Sequence, residues 1–164
     1  MARIFIGVGS NIERERYLRA GLMAIQDVFS ECQCSSVYES AAFGFDGDPF
    51  FNLVIAATTT LSVSEVSAAL RKIEFAHGRP EHAKKFSGRT LDLDLLAYDA
   101  LVISDPLVLP REDILKNAFV LCPFAELAPE WRHPLAEKTL TALWQAFDAS
   151  HQPLARVEFD WLGR

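Results

Sequence analysis

What the chain has little of narrows its class first. Its 164 residues hold three cysteines, Cys32, Cys34 and Cys122. The number is odd and the spacing fits no metal-ligand pattern, which argues against a disulfide framework or a zinc ribbon. On a strand, Cys32 and Cys34 share a face and act as small buried hydrophobes. The expected compartment is therefore reducing, the cytoplasm. No apolar run approaches the ~20 residues that a membrane helix needs. The opening run, Met1 to Val8, is too short for a signal segment and gives way to Gly9-Ser10-Asn11. Positive charge is not in excess: 16 basic against 22 acidic residues leave a formal charge of −6. General binders of nucleic acid or of acidic membranes need a basic surface, so neither role is expected. Linkers, low-complexity tracts and repeats are also missing, which points to a single domain over residues 1–164.

What is present is an ordinary globular pattern, 50 % apolar, with charges interspersed. Arg3 to Val8 reads as a buried strand closed by the turn cluster Gly9-Ser10-Asn11. Leu18, Leu22, Ile25 and Phe29 recur at helical spacing. Cys32 to Tyr38 alternates as a second strand, Ser40 to Pro49 is a turn-rich loop, and Phe50 to Thr60 is a long third strand. Ser62 and Glu65 form a capping box for a helix striped with Val66, Leu70 and Ile73, and His77-Gly78 stops it. A polar loop, Arg79 to Gly88, leads into a fourth strand. The order strand, helix, strand, strand, helix, strand predicts an α+β fold. Its core is ferredoxin-like, βαββαβ, an antiparallel sheet with both helices on one face. C-terminal additions are expected to cover part of the other face. They are a short strand near Asp99 to Ile103, a helix over Ala118 to Leu127, an amphipathic segment with Leu140, Leu143, Trp144 and Phe147, and a terminal strand Val157-Phe159-Trp161.

The stretch Gly88-Arg89-Thr90-Leu91-Asp92-Leu93-Asp94-Leu95-Leu96 carries the chemistry. With period two, its leucines take one face, and Asp92 and Asp94 the other. The two carboxylates then stand ~6.6 Å apart along one strand. Side by side they repel, and a divalent cation between them removes that cost. The basic approach, Lys84-Lys85-Phe86-Ser87-Gly88-Arg89, adds positive charge beside the pair, as a nucleotide-phosphate site requires. A solvated acidic strand face is the plain alternative.

The chain resembles the 6-hydroxymethyl-7,8-dihydropterin pyrophosphokinases of folate synthesis. The likeness rests on Gly9-Ser10-Asn11, Ser36-Val37-Tyr38-Glu39, Pro49-Phe50-Phe51-Asn52, Gly78-Arg79, Gly88-Arg89-Thr90-Leu91-Asp92-Leu93-Asp94, Leu109-Pro110 and Ala118-Phe119-Val120-Leu121. These run in the family's order across about residues 3–130. The resemblance implies transfer of pyrophosphate from ATP to a pterin alcohol, with Mg²⁺ held by Asp92 and Asp94, two ions in company with ATP. It implies that Arg79 and Arg89 act with them as catalytic groups, clamping phosphate oxygens, and that Glu74 and Arg111 join those arginines on the nucleotide side. Phe50 and Phe119 would sandwich the pterin ring, Asn52 would read its polar edge, and Ser40 and Phe43 belong to a loop that closes over it. The implied partners are small-molecule substrates, with no nucleic acid or membrane, and the chain is expected as a monomer or weak dimer.

The departures from the family pattern gather on the ATP side. Pro80-Glu81-His82 follows Gly78-Arg79, Arg111 follows Pro110, and Pro106 and Asn117 stand where some members have arginine. Lys84, Lys85, His82, Lys116 and Arg111 are the reserve of positive charge. The competing readings are a paralogue acting on another pterin alcohol or nucleotide, and a non-catalytic ferredoxin-like ligand-binding module.

Overall fold

The computed structural model describes residues 1–41, 47–78 and 90–163. The strand β1 (Ala2–Ser10) lies between β4 (Phe50–Thr59) and β5 (Asp92–Tyr98), antiparallel to both. On the far side of β4, β2 (Ser30–Cys34) and β3 (Val37–Ser40) pair with it in turn, and β6 (Ala155–Val157) adds to β3. The edge-to-edge order is β5-β1-β4-β3-β6, with β2 also on β4. This is the ferredoxin-like sheet that the element order predicts.

Two apolar layers flank the sheet. α1 (Arg14–Val28) and α2 (Val63–Ala76) cover one face. There Leu18 and Ile25 of α1 and Val66, Leu70 and Ile73 of α2 pack on Ile4, Ile6, Leu53, Ile55, Leu93 and Leu95. The other face carries α4 (Ala118–Leu127), with α3 (Asp113–Lys116) before it and α5 (Leu140–Ala146) after it. Phe124 packs on Phe5 with ring centroids 4.6 Å apart, and Trp131 closes the cluster 5.1 Å from Phe124. α4 is also tied down by polar contacts: Glu126 accepts from Ser36 N–H at 2.8 Å and from the Tyr38 hydroxyl at 2.5 Å. The site described below lies on this second face, where α4 leaves part of the sheet uncovered.

Several elements differ from the sequence expectation, the first two for a reason that lies in the partner strand. β1 does not close at Val8, because Gly9 and Ser10 continue the ladder opposite Asn52 and Phe51. The second strand is two pieces. Cys34 faces Ile55 whereas Tyr38 faces Asn52, so one extra residue is accommodated between them. Ser35 heals the break: its N–H donates to Val54 O, and its Oγ accepts from Val54 N–H, both at 2.9 Å. The added strand near Asp99 to Ile103 reduces to a turn and a single bridge, Ile103 to Leu109. At the C-terminal end only Ala155–Val157 pairs, while Phe159 and Trp161 pack their rings against the main core.

A β-bulge sets which way the acidic strand faces. Ile6 pairs with Leu95 but its neighbour Phe5 pairs with Ala97, leaving Leu96 as the extra residue on β5. Before the bulge, Leu93 and Leu95 face α1 and α2; from Leu96 on, Leu96 and Ala97 both join the α4 layer. The bulge lets β5 satisfy two cores while Asp92 and Asp94 stay on the α4 side of the sheet, in the part that α4 does not cover.

Candidate active site

Register places the site's parts in rows across the sheet. Asp92, Gly9, Asn52 and Tyr38 are successive neighbours on β5, β1, β4 and β3. Asp94, Gly7 and Val54 form the next row. Because glycine has no side chain, β1 becomes a trough between the acidic strand and β4. The trough is a cleft of about 300 Å³, large enough for a small bicyclic ligand. Phe50, Asn52, Ser40, Asp92, Asp94, Asp113, Asn117 and Phe119 line it together with the two glycines.

The walls follow from local structure. Phe50 opens β4, and its ring edge comes 3.6 Å from where a Cβ on Gly9 would stand. Phe119 sits in the first turn of α4 and borders the same cleft. Asn52 is buried, 5 % exposed, and its Nδ2 donates to Ser40 Oγ at 2.7 Å and to Tyr38 O at 3.3 Å. With its amino group engaged by β3, Asn52 presents Oδ1 over Gly9, 3.5 Å from the same Cβ position. The wall therefore offers a fixed acceptor to a ligand N–H.

Asp92 and Asp94 stand at the β5 side of the trough. Burial, and then the neighbouring Asp92, push the Asp94 carboxyl up to about 7, while Arg111 pulls it down. That is the cost of a carboxylate that is both buried and beside a like charge. The backbone between the two aspartates is fixed by Glu74. This buried α2 residue, 4 % exposed, accepts from Leu93 N–H at 2.8 Å on the outer edge of β5. Glu74 thus supports the acidic strand from behind and does not figure among the residues that line the cleft. Arg111 lies at the cleft's rim, with Nη2 3.6 Å from Asp94 Oδ1 and Nε 3.5 Å from Asp113 Oδ1.

The structure therefore brings together Ser40, Phe50, Asn52, Asp92, Asp94, Arg111 and Phe119 from the expected set. Arg79, Arg89 and Phe43 lie outside the described residues. Gly78 and Thr90 bracket the segment 79–89 and are neighbours: a Cβ on Gly78 would meet Thr90 Oγ1 at 3.6 Å. Sequence reasoning misses Gly7, Gly9 and Asp113. Two glycines spaced by two inside a β-forming run are the signal for the first pair. Asp113 carries no local signal.

The residues that lead into β4 are held by the turn after β1. Asn11 Nδ2 donates to Asp48 O at 3.0 Å. Arg14 donates to Pro49 O at 3.0 Å, pairs with Glu39 at 2.8 Å and lies over the Phe51 ring at 3.7 Å. Gly9-Ser10-Asn11 is thus a strand end and a loop anchor in one.

The model of the family described as 7,8-dihydro-6-hydroxymethylpterin-pyrophosphokinase (HPPK) matches residues 5–129. The chain belongs to the HPPK family. A 2-amino-4-hydroxy-6-hydroxymethyldihydropteridine pyrophosphokinase of Aquifex aeolicus is 32 % identical over 143 residues, 85 % of this chain and 89 % of that protein. The Synechocystis protein of the same name is 36 % identical over 119 residues, 72 % of this chain and 60 % of its own length. Among solved structures, an HPPK-DHPS in complex with substrates superposes with a TM-score of 0.75 at 12 % identity, covering 92 % of this chain and 44 % of that one. Wild-type Plasmodium falciparum HPPK-DHPS with pterin and p-hydroxybenzoate gives 0.73 at 12 %, over 88 % and 42 %. These likenesses support the HPPK fold; the chain spans less than half of those solved chains.

Proposed function

We propose that this chain, as an HPPK, transfers pyrophosphate from ATP to the hydroxymethyl group of 6-hydroxymethyl-7,8-dihydropterin. The observation that carries the reading is the glycine trough, with an aromatic slot and an amide acceptor at one side and a paired carboxylate seat at the other. The Phe50 and Phe119 rings hold the flat heterocycle by stacking. Asn52 Oδ1 accepts from a ring N–H, and Ser40 fixes the amide's orientation. Asp92 and Asp94 suit Mg²⁺, whose oxygen preference and charge match a pair in which burial, and then the neighbouring Asp92, make the charged Asp94 carboxylate costly. Mg²⁺, two ions with ATP, would neutralise charge on the phosphates and orient them for in-line attack. Arg79 and Arg89 adjoin the neighbouring residues Gly78 and Thr90 in sequence and take phosphate oxygens, with Arg111 on the same side. Glu74 serves the nucleotide side through the strand it braces. Phe43, outside the described residues, is assigned to the pterin on the family likeness. Positioning and charge neutralisation carry this step, so no strong base is required.

The partners are ATP and a reduced pterin, the compartment is the cytoplasm, and the chain acts as a single domain, monomer or weak dimer. No helix among the described residues is long and apolar enough to cross a membrane.

The deciding experiment is single-turnover kinetics on Asp92→Asn and Asp94→Asn beside thermal melts. Each substitution should slow turnover by at least about a hundredfold, as loss of a transition-state electrostatic contact does, with the fold intact. Near-normal turnover in both variants would overturn the metal-seat reading.

A further inference from the structure

Arg111 is held in an unusual way. Its root is rigid: the backbone N–H donates to Leu96 O at 2.9 Å, at the bulge of β5. Its head is loose, because the contacts to Asp94 and Asp113, 3.6 and 3.5 Å, are longer than the ~2.7–2.9 Å of a locked guanidinium–carboxylate fork. Arg111 Nε is buried, yet makes no hydrogen bond among the described residues. The side chain is 39 % exposed and reaches the rim of the cleft. Asp113 is steadied on its other oxygen by Asn117 Nδ2 at 3.5 Å. A cation with a fixed root and a loosely paired head therefore spans one carboxylate of the metal seat and a second carboxylate outside it.

We propose that Arg111 is a counter-cation shared between the metal seat and the nucleotide: it guards Asp94 against a bare divalent ion and passes to a phosphate oxygen when the ion arrives with a triphosphate. The inference rests on the reading of Asp92 and Asp94 as that seat. A bare ion must enter against the guanidinium charge, whereas a metal–nucleotide complex brings the anionic oxygens that compensate it. Asp113 keeps Arg111 aimed at the seat through its Nε side. The residue is thus a positioning group that makes metal binding depend on nucleotide, a specificity that Asp92 and Asp94 alone do not confer.

The test counts free Mn²⁺ by electron paramagnetic resonance, on the full chain, with and without a non-hydrolysable ATP analogue. In Arg111→Met, bare Mn²⁺ should bind about tenfold tighter, the scale of one charge removed within about 4 Å in a partly wet site. With the analogue present, Mn²⁺ and nucleotide together should bind about tenfold weaker, from the lost phosphate contact. A merely structural role would move both in the same direction. Arg111→Lys keeps the charge and should stay near the parent in bare Mn²⁺ binding; if it matches Arg111→Met instead, charge is not the cause and the proposal falls. Bare-metal affinity unchanged or lowered in Arg111→Met overturns the role of Arg111 alone. Mn²⁺ binding with the analogue that is indifferent to Asp94→Asn overturns the seat, and this inference with it.

Discussion

Gly9 does at the residue scale what no side chain can do: it lets the Phe50 ring and the Asn52 amide meet over bare backbone. A Cβ there would make only ordinary contacts, 3.5 Å to Asn52 Oδ1 and 3.6 Å to Phe50. Gly9→Ala should therefore fold, with stability changed by about 1 kcal/mol or less, while occupying space the heterocycle needs. Gly9→Val should go further, weakening pterin binding by at least about tenfold with nucleotide affinity kept, as a clash of 1–3 kcal/mol at one subsite gives. Calorimetry with each ligand separately checks this; equal losses for pterin and nucleotide would mean that the residue serves the fold and not the slot. Gly7 differs, because a Cβ there comes within 3.3 Å of the buried Leu96 side chain and strain would enter the core. The aspartate pair is legible in the sequence because its spacing is local: period two on a strand puts both on one face whatever else the chain does. The partnership of Arg111, Asp94 and Asp113 is not legible, since it depends on where the segment after β5 returns to its bulge.

At the scale of elements, local chemistry decides what can be read in advance. α2 begins at Ser62 with both halves of its capping box formed, Glu65 N–H to Ser62 Oγ at 3.2 Å and Ser62 N–H to Glu65 Oε1 at 3.0 Å. Its end at His77-Gly78 follows from a positive φ of 89° at Gly78. By contrast, the split between β2 and β3 and the bulge at Leu96 are properties of strand pairs, and neither strand's own sequence announces them. The turn before α5 yields a pH expectation of its own. His133 is 2 % exposed, and its Nδ1 accepts from the N–H groups of Leu135 and Ala136 at 3.2 and 3.0 Å. Only the neutral ring can accept both, and burial holds its pKa below the usual histidine value. With the folded pKa below the unfolded one, the unfolded chain binds more protons as pH falls through about 6.5, so stability is present above that pH and lost below it. Melts of the parent should drop between pH 7 and 5 more steeply than those of His133→Asn, whose Oδ1 can take the same N–H groups without titrating. Parallel pH profiles would show that His133 titrates alike in the folded and unfolded chain and contributes nothing to the pH dependence.

At the scale of the whole molecule, the C-terminal strand and ring pair tie the far edge of the sheet to the slot. β6 pairs with β3 through Val37–Val157, Tyr38–Arg156 and Glu39–Ala155, and β3 in turn supplies Tyr38 O and Ser40 Oγ to the Asn52 amide. Beyond β6, Phe159 meets Phe51 edge-on at 5.9 Å and Trp161 at 4.5 Å, and Arg19 donates to Asp160 O at 2.7 Å. Phe51 lies under Arg14, which holds the loop stem at Pro49. A single ring at the C-terminal end is thus linked, through β3 and through Arg14, to the β4 wall of the cleft that carries Phe50 and Asn52. Phe159→Ala should cost about 2 kcal/mol, the lower range for a large-to-small change because the ring is only partly buried. For a chain of this length that lowers Tm by about 4–8 °C. Because the loosened edge includes Ser40 and the stem at Pro49, pterin KM should rise severalfold at a temperature well below the melt, while ATP KM stays near the parent. The proposed nucleotide side, β5 with the segment around Arg111, lies at the other edge of the sheet. An equal rise in both constants would mean that the tail stabilises the molecule without favouring either substrate.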